Sequence, residues 1–466
     1  MGAMETSAEQ LARCVVARLR EDGAQAWLVG GCVRDLLLGR VPKDFDVATS
    51  ATPDRIQRLF PDAKPVGAHF GVMLLERAGA QVEIATFRSE QSYSDGRRPD
   101  AVRFETRPEQ DVFRRDFTIN ALLLDPFSGE VLDFTGGRKD LEARLIRVIG
   151  DPELRFGEDH LRLLRAVRFA AVLGFQIEPA TFAAIRRLAP LIRRVAAERV
   201  RDELTRLLTE GDARRGFELL DESGLLIEIL PEVAAMKGVA QPPQYHPEGD
   251  VWTHTLLMLG LMKSNPPLTL ALGVLLHDVG KPPTFRVAER IRFDGHDALG
   301  ARMAVEILGR LRFSNQQIRR VELLVAEHLR FKDVPRMRPA TLKRFIRRPH
   351  FEELLELHRL DCLASHRNLE TYNLLLEMLR QTPPEALKPA PLLRGADLIQ
   401  AGYTPGPLFG RILEAVEEAQ LEGRLKTREQ AFRFVEDHFG PPAASPSGRA
   451  VGENHEQDQN NDGENG

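Results

Sequence analysis

Leu28-Val29-Gly30-Gly31-Cys32-Val33-Arg34-Asp35, followed by Pro42-Lys43-Asp44-Phe45-Asp46-Val47, decides how this chain is read. An apolar strand runs into a Gly-Gly turn, and a helix start follows near Val33. A glycine turn lets backbone N–H groups approach a phosphate closely, and the positive end of a helix adds to the attraction. Asp44 and Asp46 then alternate along the next strand, so their side chains point the same way. Paired carboxylates are hard oxygen ligands of the kind that suit Mg²⁺. Gly-Gly alone is commonly an ordinary turn, and Asp-x-Asp alone a solvated strand edge. At this spacing they form a site for a nucleoside triphosphate and its metal ions.

The run resembles the nucleotidyltransferase signature of the DNA polymerase beta superfamily. More closely, it is similar to the class II tRNA nucleotidyltransferase and bacterial poly(A) polymerase family. The resemblance implies that Asp44 and Asp46 bind two metal ions for in-line transfer to an RNA 3′-hydroxyl. It also implies a third carboxylate on a neighbouring strand. Glu83, in Val82-Glu83-Ile84-Ala85-Thr86, is the candidate, and a surface glutamate on a half-buried strand is the alternative.

Phe113-Arg114-Arg115-Asp116-Phe117-Thr118-Ile119-Asn120 matches the family's second motif. Guanidinium forks suit phosphate, and Asp and Asn suit sugar hydroxyls. By resemblance, Arg115 lies near the triphosphate, and Asp116 and Asn120 lie near the ribose; Gly30, Gly31 and Arg34 complete the nucleotide contacts. In the third block, Asp159 and Arg162 stand at i and i+3, one face of a helix. An intrahelical salt bridge is the ordinary reading of such a pair. The family implies instead that they hydrogen-bond the edge of the incoming base and choose C or A, with Arg165 and Arg168 pairing or contacting phosphate. The polar loop Tyr93–Pro99 matches one found in enzymes that add the terminal A as well as both C residues, and Glu198-Arg199-Val200 with Glu203 matches a scaffolding block.

A different constellation follows. His277-Asp278 comes after the apolar run Leu270–Leu276, with His254 before it and His296, His328 and Asp361 after it. This pattern resembles an HD-family phosphohydrolase. The resemblance makes His254, His277, Asp278 and Asp361 the core ligands, and His296 and His328 the additional histidines of binuclear members. Imidazole with carboxylate suits Ni, Co, Mn, Fe or Zn. The implied chemistry is attack on a phosphomonoester or a 2′,3′-cyclic phosphate.

At 466 residues the chain is too long for one ordinary domain, and 43% apolar with 28% charged residues is a soluble globular balance. Two Trp and four Tyr argue against a large base-stacking platform. The net charge of −4 hides arginine-rich segments at 144–215 and 330–348, which offer phosphates a basic track. Cys14, Cys32 and Cys362 show neither metal-ligand spacing nor a disulfide framework, as in a reducing cytoplasm. No secretory leader or membrane-spanning run is evident.

Strands are expected near 26–29, 44–48, 72–76, 81–87, 121–125 and 131–134, and helices almost throughout 158–440. The expected architecture is an α+β head of DNA polymerase beta nucleotidyltransferase type followed by an all-helical neck, HD and tail region. The boundaries are an N-terminal helix at 1–25, the head at 26–150 and a neck for base selection and RNA binding at 151–235. An HD domain at 236–375, a helical tRNA-binding region at 376–440 and a disordered tail at 441–466 complete the chain. The expected activity is CCA addition to tRNA from CTP and ATP. The alternatives are a bacterial poly(A) polymerase and an HD phosphohydrolase with an RNA-binding head. Oligomeric state is left open by the sequence.

Overall fold

The computed structural model describes residues 7–66, 71–91 and 101–442. The loop Tyr93–Pro99 and the tail beyond Pro442 lie outside the described residues. By contacts the chain divides into two compact units, one of residues 1–330 with 352–369 and one of residues 331–351 with 370–466.

The first unit opens with the helix Ala8–Glu21, begun by a capping box between Ser7 and Gln10. Its stripe Leu11, Ala12, Val15, Val16 and Leu19 is buried and packs on the head sheet. The head contains β1 (Ala26–Val29), β2 (Phe45–Thr49), β3 (Lys64–Pro65), β4 (Val72–Arg77), β5 (Ala80–Thr86), β6 (Arg88–Gln91), β7 (Ala101–Phe104), β8 (Leu123–Leu124) and β9 (Val131–Leu132). Seven of these form one mixed sheet in the order β3-β4-β5-β2-β1-β8-β9, and β6 pairs with β7 in a separate hairpin. In the sheet only β2 and β5 pair in parallel, and their register sets Asp46 opposite Glu83. The expected helices after Gly31 and Pro53 are present as Gly31–Leu37 and Pro53–Leu59.

Two sequence expectations shift. β2 begins at Phe45, so Asp44 stands just before the strand rather than within it. The strands expected at 121–125 and 131–134 shrink to two residues each.

Beyond residue 150 the first unit is helical apart from short strand pairs such as Arg286–Val287 with Ile291–Arg292. The helix Leu161–Leu173 is buried along nearly all its length and packs against the helices Ala197–Glu210 and Ala213–Glu222. Further on, His254 lies in the helix Val251–Leu261 and His296 opens the helix His296–Arg310, while His277 and His328 cap the ends of the helices Leu268–Leu276 and Asn315–Glu327. The second unit has its own core around Leu398, Ile412, Val416 and Val435, and Arg344 and Arg347 both pair with Glu417 on its surface. Among the described residues, no helix is long and apolar enough to cross a membrane.

Candidate functional sites

β1 delivers the chain to Gly30, whose φ of +81° lies in the region that favours glycine. A Cβ at Gly30 would also sit 3.4 Å from Arg115 Nη1 and 3.7 Å from Asp46 Oδ2. Both are ordinary contact distances, so it is the backbone angle that reserves this position for glycine. Asp46 is half-buried, while Asp44 and Glu83 on either side of it are exposed. Burial pushes the Asp46 carboxyl up to about 6, Glu83 adds to the rise, Arg115 opposes it and Asp44 adds a little more. Three carboxylates crowd together here with too little positive charge to balance them. Such a donor set fits divalent cations.

A cavity of about 850 Å³ opens from this point. Gly30, Gly31, Arg34, Asp44, Asp46, Arg115, Asp116, Asn120, Asp159, Arg162, Arg165 and Arg168 all line it, and cationic side chains outnumber carboxylates in its wall. Glu83 flanks Asp46 on β5 and is not part of that wall.

One hydrogen-bonded chain orders the wall. Arg34 donates to Asp35 at 2.8 Å and to Asn120 Oδ1 at 2.8 Å. Asn120 donates to Asp116 Oδ1 at 3.2 Å, and Arg165 forks onto Asp116 Oδ2 at 2.8 and 2.6 Å. Burial alone would raise Asp116, but the Arg165 guanidinium and the donors Asn120 and Phe117 N–H outweigh it and hold the carboxyl at about 2. Arg165 lies 3.5 Å from Glu203, which also receives Arg168. Arg114 and Arg115 both anchor on Asp111, a carboxylate with 0% exposed surface. Arg115 Nε is left buried without a hydrogen-bond partner beside the carboxylate cluster.

The third motif departs from expectation. Asp159 ends the helix Pro152–Glu158 in an extended conformation, and a new helix starts at Leu161. Asp159 and Arg162 therefore do not share a helical face. Asp159 accepts both guanidinium nitrogens of Arg199, at 3.1 and 2.8 Å. Arg162 donates instead to Glu158 at 2.7 Å and to the carbonyl of Arg155 at 2.9 Å. Both side chains still face the same cavity. Sequence reasoning assigned Arg199 to scaffolding and passed over Asp111. An arginine in a block already matched to the family was the available signal.

The second constellation gathers in the first unit. His254, His277, Asp278, His296 and His328 are all buried. His254, His277 and Asp278 offer ligand atoms within 4.8 Å of one another, as do Asp278, His296 and His328. Asp361 Oδ1 stands 3.2 Å from His254 Nε2. The Nε2 atoms turn onto these carboxylates: His277 Nε2 lies 3.1 Å from Asp278 Oδ2 and His296 Nε2 3.5 Å from Asp278 Oδ1. Imidazole nitrogens converging with two carboxylates fit a transition metal. Lys281 also reaches Asp278, at 2.7 Å. The sequence reading missed His246 and Glu248, which stand behind His254; Glu248 Oε1 lies 2.9 and 2.6 Å from the Nδ1 atoms of His246 and His254.

Three family matches cover this frame. Residues 26–147 match the poly A polymerase head domain, 174–237 the probable RNA and SrmB-binding site of polymerase A, and 251–364 the HD domain. The chain is similar to the CC-adding tRNA nucleotidyltransferase of Thermus thermophilus, with 35% identity over 91% of this chain and 96% of that protein. It is similar to the CCA-adding enzyme of Geobacillus stearothermophilus, with 43% identity over 45% of this chain, and spans about half (52%) of that curated relative's length. Among solved structures, the Bacillus stearothermophilus CCA-adding enzyme in complex with CTP superposes with a TM-score of 0.70 at 27% identity, covering 93% of this chain and 98% of that one.

Proposed function

Because the chain belongs to the tRNA nucleotidyltransferase and poly(A) polymerase family and carries an HD domain, we propose that it builds and repairs the 3′-terminal CCA of tRNA from CTP and ATP in the cytoplasm. The observation that carries the reading is the carboxylate cluster of Asp44, Asp46 and Glu83 at the mouth of an arginine-lined cavity. Asp44 and Asp46, with Glu83 beside them, would hold the Mg²⁺ ions, which when bound would supply Lewis-acid activation of the RNA 3′-hydroxyl and charge neutralisation at the triphosphate. The bare turn at Gly30 and Gly31 admits the phosphates, and Arg34 and Arg115 bind them. Asp116 and Asn120 orient the ribose, with Arg165 fixing Asp116. Asp159 and Arg162 read the base edge, and Arg168 keeps the helix of Arg162 in place through Glu203.

The test uses tRNAs lacking one, two or three terminal nucleotides, with CTP and ATP separately and together, read at single-nucleotide resolution. CTP alone is expected to add two residues and stop, and ATP alone to extend only the tRNA that already ends in CC. Long A tails would instead identify a poly(A) polymerase. A halt at CC with both nucleotides present is the second reading, favoured by the CC-adding relative that matches along nearly the whole chain.

Asp159→Ala is expected to raise misincorporation about 5- to 150-fold, the discrimination of 1–3 kcal/mol that a bidentate base contact supplies, while tRNA affinity stays close to wild type. Unchanged C/A choice in competition assays would count against the base-reading role.

The buried histidine cluster supports a metal-dependent phosphohydrolase centre using Ni, Co, Mn, Fe or Zn, acting on phosphomonoester or 2′,3′-cyclic phosphate ends of RNA.

A further inference from the structure

Resting on the reading of the histidine cluster as a metal centre, we propose that Glu248 is a positioning residue that makes the half built on His254 the tighter of two cation sites. Three of the four buried imidazoles are oriented by the backbone. The Nδ1 atoms of His277, His296 and His328 meet the carbonyls of Val274, Phe293 and Val325 at 2.9, 2.8 and 2.7 Å. A carbonyl only accepts, so Nδ1 carries the proton and the Nε2 lone pair turns to the cluster. His254 is oriented differently. It lies in the helix Val251–Leu261, and its Nδ1 meets the Glu248 carboxylate at 2.6 Å.

A carboxylate behind a ligating imidazole fixes the tautomer and makes Nε2 a better donor to a cation. The same Glu248 oxygen holds His246 Nδ1 at 2.9 Å, which pins the carboxylate from a second side. The charge also divides unequally. The half with His254 and His277 contains Asp278, has Asp361 3.2 Å from His254 Nε2, and is backed by Glu248. The half with His296 and His328 has Asp278 as its only carboxylate among the described residues. Cation affinity rises with the number of charged ligands.

The experiment titrates the metal-stripped full-length protein with Co²⁺, following the visible spectrum and heat. Wild type is expected to fill in two steps. Glu248→Ala is expected to weaken the first step by about 10- to 100-fold and leave the second unchanged. Glu248→Gln is expected to recover part of the loss, because its amide oxygen still accepts from one imidazole N–H. Nucleotide addition by the same preparations is expected to match wild type, showing that the chain is folded. An unchanged first step in Glu248→Ala, equal weakening of both steps, or a single step in wild type overturns the proposal. Wild type that binds no Co²⁺ at all would instead overturn the underlying metal-centre reading.

Discussion

Asp46→Asn is expected to lower nucleotide addition by about 10²–10³-fold or more, the scale lost when one electrostatic stabiliser of a transition state is removed. Asp44→Ala should behave alike, and tRNA binding should persist in both, because the cavity's arginines are untouched. The argument begins at the register. The parallel pairing of β2 and β5 sets Asp46 opposite Glu83, and Asp44 leads into the same strand. Among the described residues Arg115 is the cation that opposes the rise at Asp46, and Arg115 also serves Asp111. Such crowding is unfavourable without a cation, and proteins accept it where function requires it. Asparagine keeps the shape of Asp46 and removes its charge. In chelator the variant is therefore expected to unfold at a denaturant concentration no lower than wild type, even as activity disappears. Single-turnover addition of CMP to a trimmed tRNA checks the first half, and urea unfolding with EDTA checks the second. Transfer within tenfold of wild type would overturn the metal-binding role. A large fall in stability would turn the lost activity into a folding effect.

The features legible in the sequence are those whose partners are close in the chain. The Gly30-Gly31 turn, the Asp44-x-Asp46 pair and the Arg114-Arg115-Asp116 run each state their chemistry within a few residues. The structure brings them to one cavity wall. The histidine and aspartate set, His254 to Asp361, spans more than a hundred residues and is legible only through the spacing of the HD pattern. What the sequence concealed was pairing at long separation. Asp159 looks like the helical partner of Arg162, yet the chain breaks at Asp159 and its carboxylate turns to Arg199, 40 residues away. No helical periodicity announces that break, because His160 already has helical backbone angles and the next helix starts at Leu161. Glu248 was passed over for a related reason. A glutamate in a Pro- and Gly-bearing turn reads as solvent-facing, and only the fold brings it against two imidazoles.

Glu203→Ala is expected to destabilise the protein by about 3–5 kcal/mol, the loss that follows when one partner of a buried ion pair is removed. Glu203 and Arg168 are 5% and 4% exposed, and Arg165 approaches the same carboxylate at 3.5 Å. Arg165 also holds Asp116, so it retains a partner when Glu203 is gone. Arg168 does not. Glu203 is its only carboxylate partner among the described residues, and the neighbouring charges of Arg165 and Arg206 repel it. An asymmetry follows. Arg168→Met should cost less than Glu203→Ala, because Glu203 keeps Arg165. The double variant Glu203→Leu with Arg168→Met should recover much of the loss, since apolar groups of similar volume replace both buried charges. Urea unfolding of wild type, Glu203→Leu, Arg168→Met and the double variant closes the cycle, with Glu203→Ala measured beside it. A Glu203→Ala cost below about 1 kcal/mol, within the range of exposed pairs, would mean that the pair is solvated and contributes little to holding the helix that bears Arg168.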